Sequence, residues 1–130
     1  DEPTSFLDLR GKLELLDILK ELVRERRVAV VISLHELDLA QRISDRILCV
    51  RGEGIDRCGT PEEIFSHPVH PYTRSLISAI PNPNPVVERS RIALHYDYKT
   101  SGLDYGAGTM HQIEGTHFVR GTDADLEKWV

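Results

Sequence analysis

The feature that most constrains this chain is the run Val28-Ala29-Val30-Val31-Ile32-Ser33-Leu34, apolar but for Ser33 and rich in β-branched residues. Such a run, with no alternation of apolar and polar residues, is the pattern of a strand buried on both faces, as in a parallel sheet covered by helices. It is preceded by a helical stripe: Leu9, Leu13, Leu16, Leu19 and Val23 recur at helical spacing, widened by Leu15, Ile18 and Leu22. Asp8 can cap that helix, and Arg24, Arg26 and Arg27 close it where the helix dipole is negative. Helix followed by buried strand defines an α/β layer arrangement.

The remaining pattern continues that arrangement and then leaves it. A short helix is expected from about Glu36 to Ile43, and a strand from Arg46 to Val50. Gly52 and Gly54 mark a turn, after which Ile55–Cys58 pairs back as a hairpin. Thr60-Pro61-Glu62-Glu63 starts a helix: Thr at the cap, Pro at the first helical position, Glu three after the cap. A helix over about Thr73–Ile80 follows a kinked connection at His67–Tyr72. Pro81-Asn82-Pro83-Asn84-Pro85 reads as extended. Beyond it the expected elements are a strand at Arg91–Tyr96, a Gly-rich turn at Thr100–Gly108, a strand at His117–Arg120 and a capped helix from Thr122-Asp123 through Trp129.

Composition limits the functional classes. The 130 residues carry a formal net charge of −5, against the basic balance of a nucleic-acid binder. No apolar run approaches the roughly 20 residues of a transmembrane helix. Cys49 and Cys58 match no zinc spacing, and no secretory signal opens the chain. Asp1-Glu2-Pro3-Thr4 has no initiator Met and reads as the middle of a motif, so the chain is expected to be part of a longer protein.

Two places carry candidate chemistry. Adjacent acids at a strand end, Asp1-Glu2, can divide labour at a metal–phosphate site, one holding Mg²⁺ and the other orienting or deprotonating a water. A bare acid pair is more often a solvated strand end. His35 directly follows the apolar strand, at the carboxyl edge where ligands bind in α/β sheets; alone, it would be read as a surface or capping histidine. The other histidines, His67, His70, His95, His111 and His117, default to loop packing and solvent, and only His67 and His70 have the spacing of a local clamp.

The context of these residues resembles one family. Asp1-Glu2-Pro3-Thr4-Ser5-Phe6-Leu7-Asp8 resembles the end of the Walker B strand and the D-loop of ABC-transporter ATPases. Ser33-Leu34-His35-Glu36-Leu37-Asp38-Leu39-Ala40 is similar to the H-loop of that family, and Gly59-Thr60-Pro61-Glu62-Glu63-Ile64-Phe65 to the element ending its ATPase core. The resemblance implies ATP and Mg²⁺ as cofactors. Asp1 would be the Mg²⁺-side acid acting through water, and Glu2 the general base. Asp8 would be the D-loop acid reaching an opposing subunit, and His35 the γ-phosphate contact. It also implies a fold: residues 1–65 as the carboxyl-terminal half of a P-loop NTPase parallel sheet, residues 66–130 as a small α+β extension.

His70-Pro71-Tyr72-Thr73-Arg74-Ser75-Leu76-Ile77-Ser78-Ala79-Ile80-Pro81 is similar to the segment opening the carboxyl-terminal extension of oligopeptide and dipeptide importer ATPases. Residues 1–65 also resemble importers of siderophores, haem or cobalamin. The resemblance implies a peptide importer, acting as a homo- or heterodimer on membrane permease subunits at the cytoplasmic face of a prokaryotic membrane, without nucleic acid. A metal-chelate importer is the alternative. A soluble ABC-type DNA ATPase and a non-catalytic binding module are alternatives from other classes. No G-x-x-x-x-G-K-S/T and no signature motif occur in these 130 residues, so the chain by itself is expected to be inactive.

Overall fold

The computed structural model describes residues 2–52, 54–104 and 106–130, which form two compact units, one up to Asp45 and one from Arg46. Asp1 lies outside the described residues.

The first unit is built on helix α1 (Leu9–Arg26). Asp8 begins it as expected, its carboxylate accepting from the Gly11 N–H at 2.8 Å. Arg24 and Arg26 occupy the last turn, and Arg27 ends the helix in the left-handed region at φ 52°. Leu16 is the one buried residue of α1; Leu9, Leu13, Ile18 and Leu22 are exposed. Helix α2 (Leu37–Ile43) contributes buried Leu39. Between the helices, residues 28–34 have no ladder partner among the described residues, and Val31 is 93% exposed. The β-branched run specifies extended backbone, but a strand needs a neighbour to complete its hydrogen bonds, and no described residue of this unit supplies one.

The second unit is an antiparallel sheet with helices at its margins. The strands are β1 (Ile47–Arg51), β2 (Gly54–Gly59), β3 (Thr109–Glu114) and β4 (His117–Gly121), in spatial order β1-β2-β4-β3. β1 and β2 form the expected hairpin, with a bulge between Cys49 and Val50. β2 pairs with β4 through Arg57↔Val119 and Cys58↔Phe118, so distal residues complete a sheet begun by the hairpin. The fold is therefore mixed helix and strand, and its described sheet is antiparallel rather than parallel.

Helices α3 (Pro61–Ser66), α4 (Pro71–Ser78), α5 (Pro85–Ser90) and α6 (Asp123–Trp129) complete the unit. Thr60 and Glu63 form the full capping box around α3. Two expectations for the distal part differ from the structure. Pro85 begins α5 because Pro fits the first turn of a helix and Asn84 caps it, accepting from the Val86 N–H. Residues 91–96, read as a strand from their alternation, pair with no described strand.

Val69, Val119 and Trp129 form the core of this unit, flanked by Leu103, Ile113 and Leu126. Glu63 also ties α3 to the β3–β4 turn. Beyond its cap to the Thr60 N–H, its carboxylate accepts from the Thr116 N–H at 2.8 Å and the Thr116 hydroxyl at 2.7 Å. Those bonds hold the Glu63 pKa down to about 2. Gly115 is required in this turn: its φ is +47°, and a Cβ there would sit 2.2 Å from the Glu63 carboxylate.

Candidate active site

The first unit brings two candidate residues into contact. Glu2 Oε1 lies 2.5 Å from His35 Nε2, although the residues are 33 positions apart in sequence. The contact is held from both sides. The Glu2 backbone N–H donates to Ser33 Oγ at 2.7 Å, joining the acid to the end of the β-branched run. The Ser5 hydroxyl donates to Glu2 Oε2 at 3.2 Å. Below the pair, Thr4 is buried and its hydroxyl donates to Glu36 Oε2 at 3.2 Å. The Lys12 ammonium pairs with Glu36 Oε1, so α1, the Thr4 turn and the residue after His35 share one polar anchor.

The anchored pair is open to solvent. The Glu2 and His35 side chains are 46% and 78% exposed, while Thr4 beneath them is 1% exposed. The hydrogen bond from His35, then its charge, lowers the Glu2 pKa below the usual carboxylate value, so Glu2 is ionised at neutral pH. Glu2 also has φ 42°, a backbone conformation rarely adopted by a non-glycine residue. Such conformations persist where surrounding bonds over-determine them, and here Ser33 and His35 both hold Glu2.

Asp8 is not part of this pair; its carboxylate caps α1. Ser33, Thr4, Lys12 and Glu36 are supporting residues that the sequence reading did not single out. A signal existed for Ser33, the one hydroxyl in an otherwise apolar strand. The Lys12–Glu36 pair has no local signature, because its partners are 24 residues apart.

An exposed carboxylate beside an imidazole can accept a proton from a water and orient it toward an electrophile. Among the described residues, no group of three or more His, Cys, Asp and Glu side chains could hold a metal ion by itself. Among the described residues, no helix is long and apolar enough to cross a membrane.

Residues 58–97 match the family described as the oligopeptide/dipeptide transporter, C-terminal region. The whole chain is similar to ATP-binding proteins of peptide transport. It is 36% identical over 127 residues to the dipeptide transport ATP-binding protein DppF of Lactococcus lactis subsp. cremoris, covering 98% of this chain and 40% of the relative. It is 36% identical over 129 residues to the oligopeptide transport ATP-binding protein OppF of Streptococcus mutans, covering 99% of this chain and 42% of the relative. OppF of Bacillus subtilis is 35% identical over 129 residues, with 98% and 42% covered. The chain thus spans well under half the length of these relatives.

Proposed function

We propose that this chain is part of the ATP-binding subunit of an ABC importer that couples ATP hydrolysis to uptake of oligopeptides or dipeptides. The observation that carries the reading is the Glu2–His35 contact, formed by the two residues whose motifs resemble the Walker B end and the H-loop. The relatives' names favour a peptide cargo over a metal chelate.

In this reading residues 1–65 belong to the ATPase core and residues 66–130 to the peptide-importer extension. The core would have the parallel sheet of a P-loop NTPase. The exposed Val31 and the exposed stripe of α1 support that placement, as surfaces suited to sheet and helix neighbours contributed by other residues.

When bound, ATP with Mg²⁺ supplies the transferable γ-phosphoryl group and a cation that neutralises phosphate charge. The residues fit this group. Glu2 is an exposed carboxylate beside an exposed imidazole, and Mg²⁺ keeps several waters and phosphate oxygens, needing few protein ligands. Asp1 is proposed as the Mg²⁺-side acid. Glu2 accepts the proton of the attacking water, or orients that water, through a carboxylate already ionised at neutral pH. Its lowered pKa makes it a weak base, so placement of the water carries more of its effect than basicity. His35 fixes the Glu2 carboxylate and is proposed to contact the γ-phosphate. Asp8 is proposed to reach an opposing subunit while its cap to Gly11 sets its position.

The protein would dimerise with a second ATPase subunit and act on permease subunits at the cytoplasmic face of the membrane. The 130-residue chain by itself is proposed to be inactive, because it contains no phosphate-cradling loop motif. The test is ATP turnover by the intact ATPase carrying His35→Ala. A loss of rate larger than the loss of nucleotide affinity supports the assignment. Unchanged turnover with weakened binding contradicts it.

A further inference from the structure

The second unit contains a cavity of about 340 Å³ that the ATPase reading does not use. That volume is at the lower end of small-molecule sites. Arg57, on β2, lines it and is only 5% exposed. Its Nε has no hydrogen-bond partner, and its guanidinium carbon lies 5.3 Å from the centre of the Tyr72 ring. The neighbouring Asp56 does not neutralise it. Both Asp56 oxygens face Arg51, at 2.7 Å from Nε and 3.5 Å from Nη2. The Arg57 guanidinium thus brings a positive charge that no carboxylate among the described residues pairs with. His70, also on the cavity wall, adds none: burial, and then the charges of Arg57 and Arg51, push its pKa down to about 3.

The remaining walls are Val50 and three tyrosines. The Tyr72 and Tyr96 ring centres are 5.6 Å apart, and Tyr98 completes the lining at a position 63% exposed to solvent. A buried cation lacking a counter-ion is costly unless something pairs with it. Flat aromatic walls accept a flat apolar body. The planar guanidinium fork matches a carboxylate.

We propose that this cavity binds a small flat organic carboxylate, its carboxylate on the Arg57 guanidinium and its body against Tyr72, Tyr96 and Tyr98. The proposal is independent of the ATPase reading, since none of these residues belongs to the Glu2–His35 site.

The experiment is a titration of the 130-residue chain with benzoate, benzamide and benzamidinium, followed by tyrosine ring proton shifts in NMR. These probes share shape and differ in charge. Saturable binding of benzoate, at least tenfold tighter than benzamide and with no binding of benzamidinium, is expected. Arg57→Gln should abolish the preference for benzoate. Tyr98→Ala, at an exposed position, should weaken benzoate severalfold without moving the melting temperature, which keeps the test open if the Arg57 variant does not fold. Equal binding of benzoate and benzamide, or binding of neither at millimolar concentration, would overturn the proposal.

Discussion

Gly121→Ala isolates a single packing contact. Gly121 ends β4 under the indole of Trp129, the last residue of α6. A Cβ at position 121 would lie 2.9 Å from Trp129 Cζ3 and 3.2 Å from Cη2. Carbon atoms at rest sit about 3.5–4.0 Å apart, so the methyl intrudes by roughly 0.6–1.1 Å. Gly121 is not among the residues of positive φ, so backbone strain does not contribute. Overpacking of this kind costs about 1–3 kcal/mol. Urea unfolding followed by far-UV circular dichroism should show the midpoint falling by about 1 M, for a slope of about 1–3 kcal/mol per molar. Trp129→Phe removes both clashing carbons. In that background, Gly121→Ala should cost at least about 1 kcal/mol less than in the parent, a coupling expected only of residues in contact. If the two substitutions add to within about 0.5 kcal/mol, the packing of α6 on β4 described above is wrong.

Three further outcomes follow from the geometry. His70 is neutral and buried, with its pKa pushed from 6.5 to about 3, so the unfolded chain binds a proton that the folded chain refuses. Its contribution is present above about pH 6.5 and is lost, to the extent of a few kcal/mol, as pH falls toward about 3; His70→Phe should flatten that part of a urea-midpoint profile. Glu63, depressed to about 2, contributes stability that is present above about pH 4.5 and lost as pH falls toward 2; Glu63→Gln should lack that acid limb. Deleting residues from Val86 onward in the intact protein removes β3, β4 and α6 and bares the edge of β2; weakened dimerisation or transport regulation, measured by sedimentation and vesicle uptake, is expected.

The elements legible in the sequence were those fixed locally. Asp8 at the start of α1, the Thr60–Glu63 box and Thr122 at the start of α6 each act within four residues, and each cap is found where its motif lies. The hairpin of β1 and β2 was legible for the same reason. What escaped depends on distant partners. β3 carries Met110, Gln112 and Glu114 between residues of intermediate burial, a pattern too weak to mark a strand without β4 beside it. Residues 91–96 alternate as a strand does, but alternation supplies no partner. At the candidate site, Glu2 and His35 were legible through their flanking motifs, whereas Ser33 and the Thr4–Glu36–Lys12 anchor became visible only once the chain was folded. The Arg57 cavity gave no sequence signal, because β2, the loop at His70 and residues 96–98 meet only in three dimensions.

The central claim is that Glu2 and His35 form the hydrolytic pair of an ATPase, and Glu2→Gln in the intact protein tests it most directly. The amide keeps the shape of the side chain and removes the carboxylate that handles the attacking water. Steady-state phosphate release and ATP binding should be measured on the same preparation. The account predicts a fall in turnover of at least about a hundredfold, as for loss of a positioned base, with ATP affinity retained and a closed, ATP-bound dimer accumulating. Near-normal turnover by Glu2→Gln would contradict it.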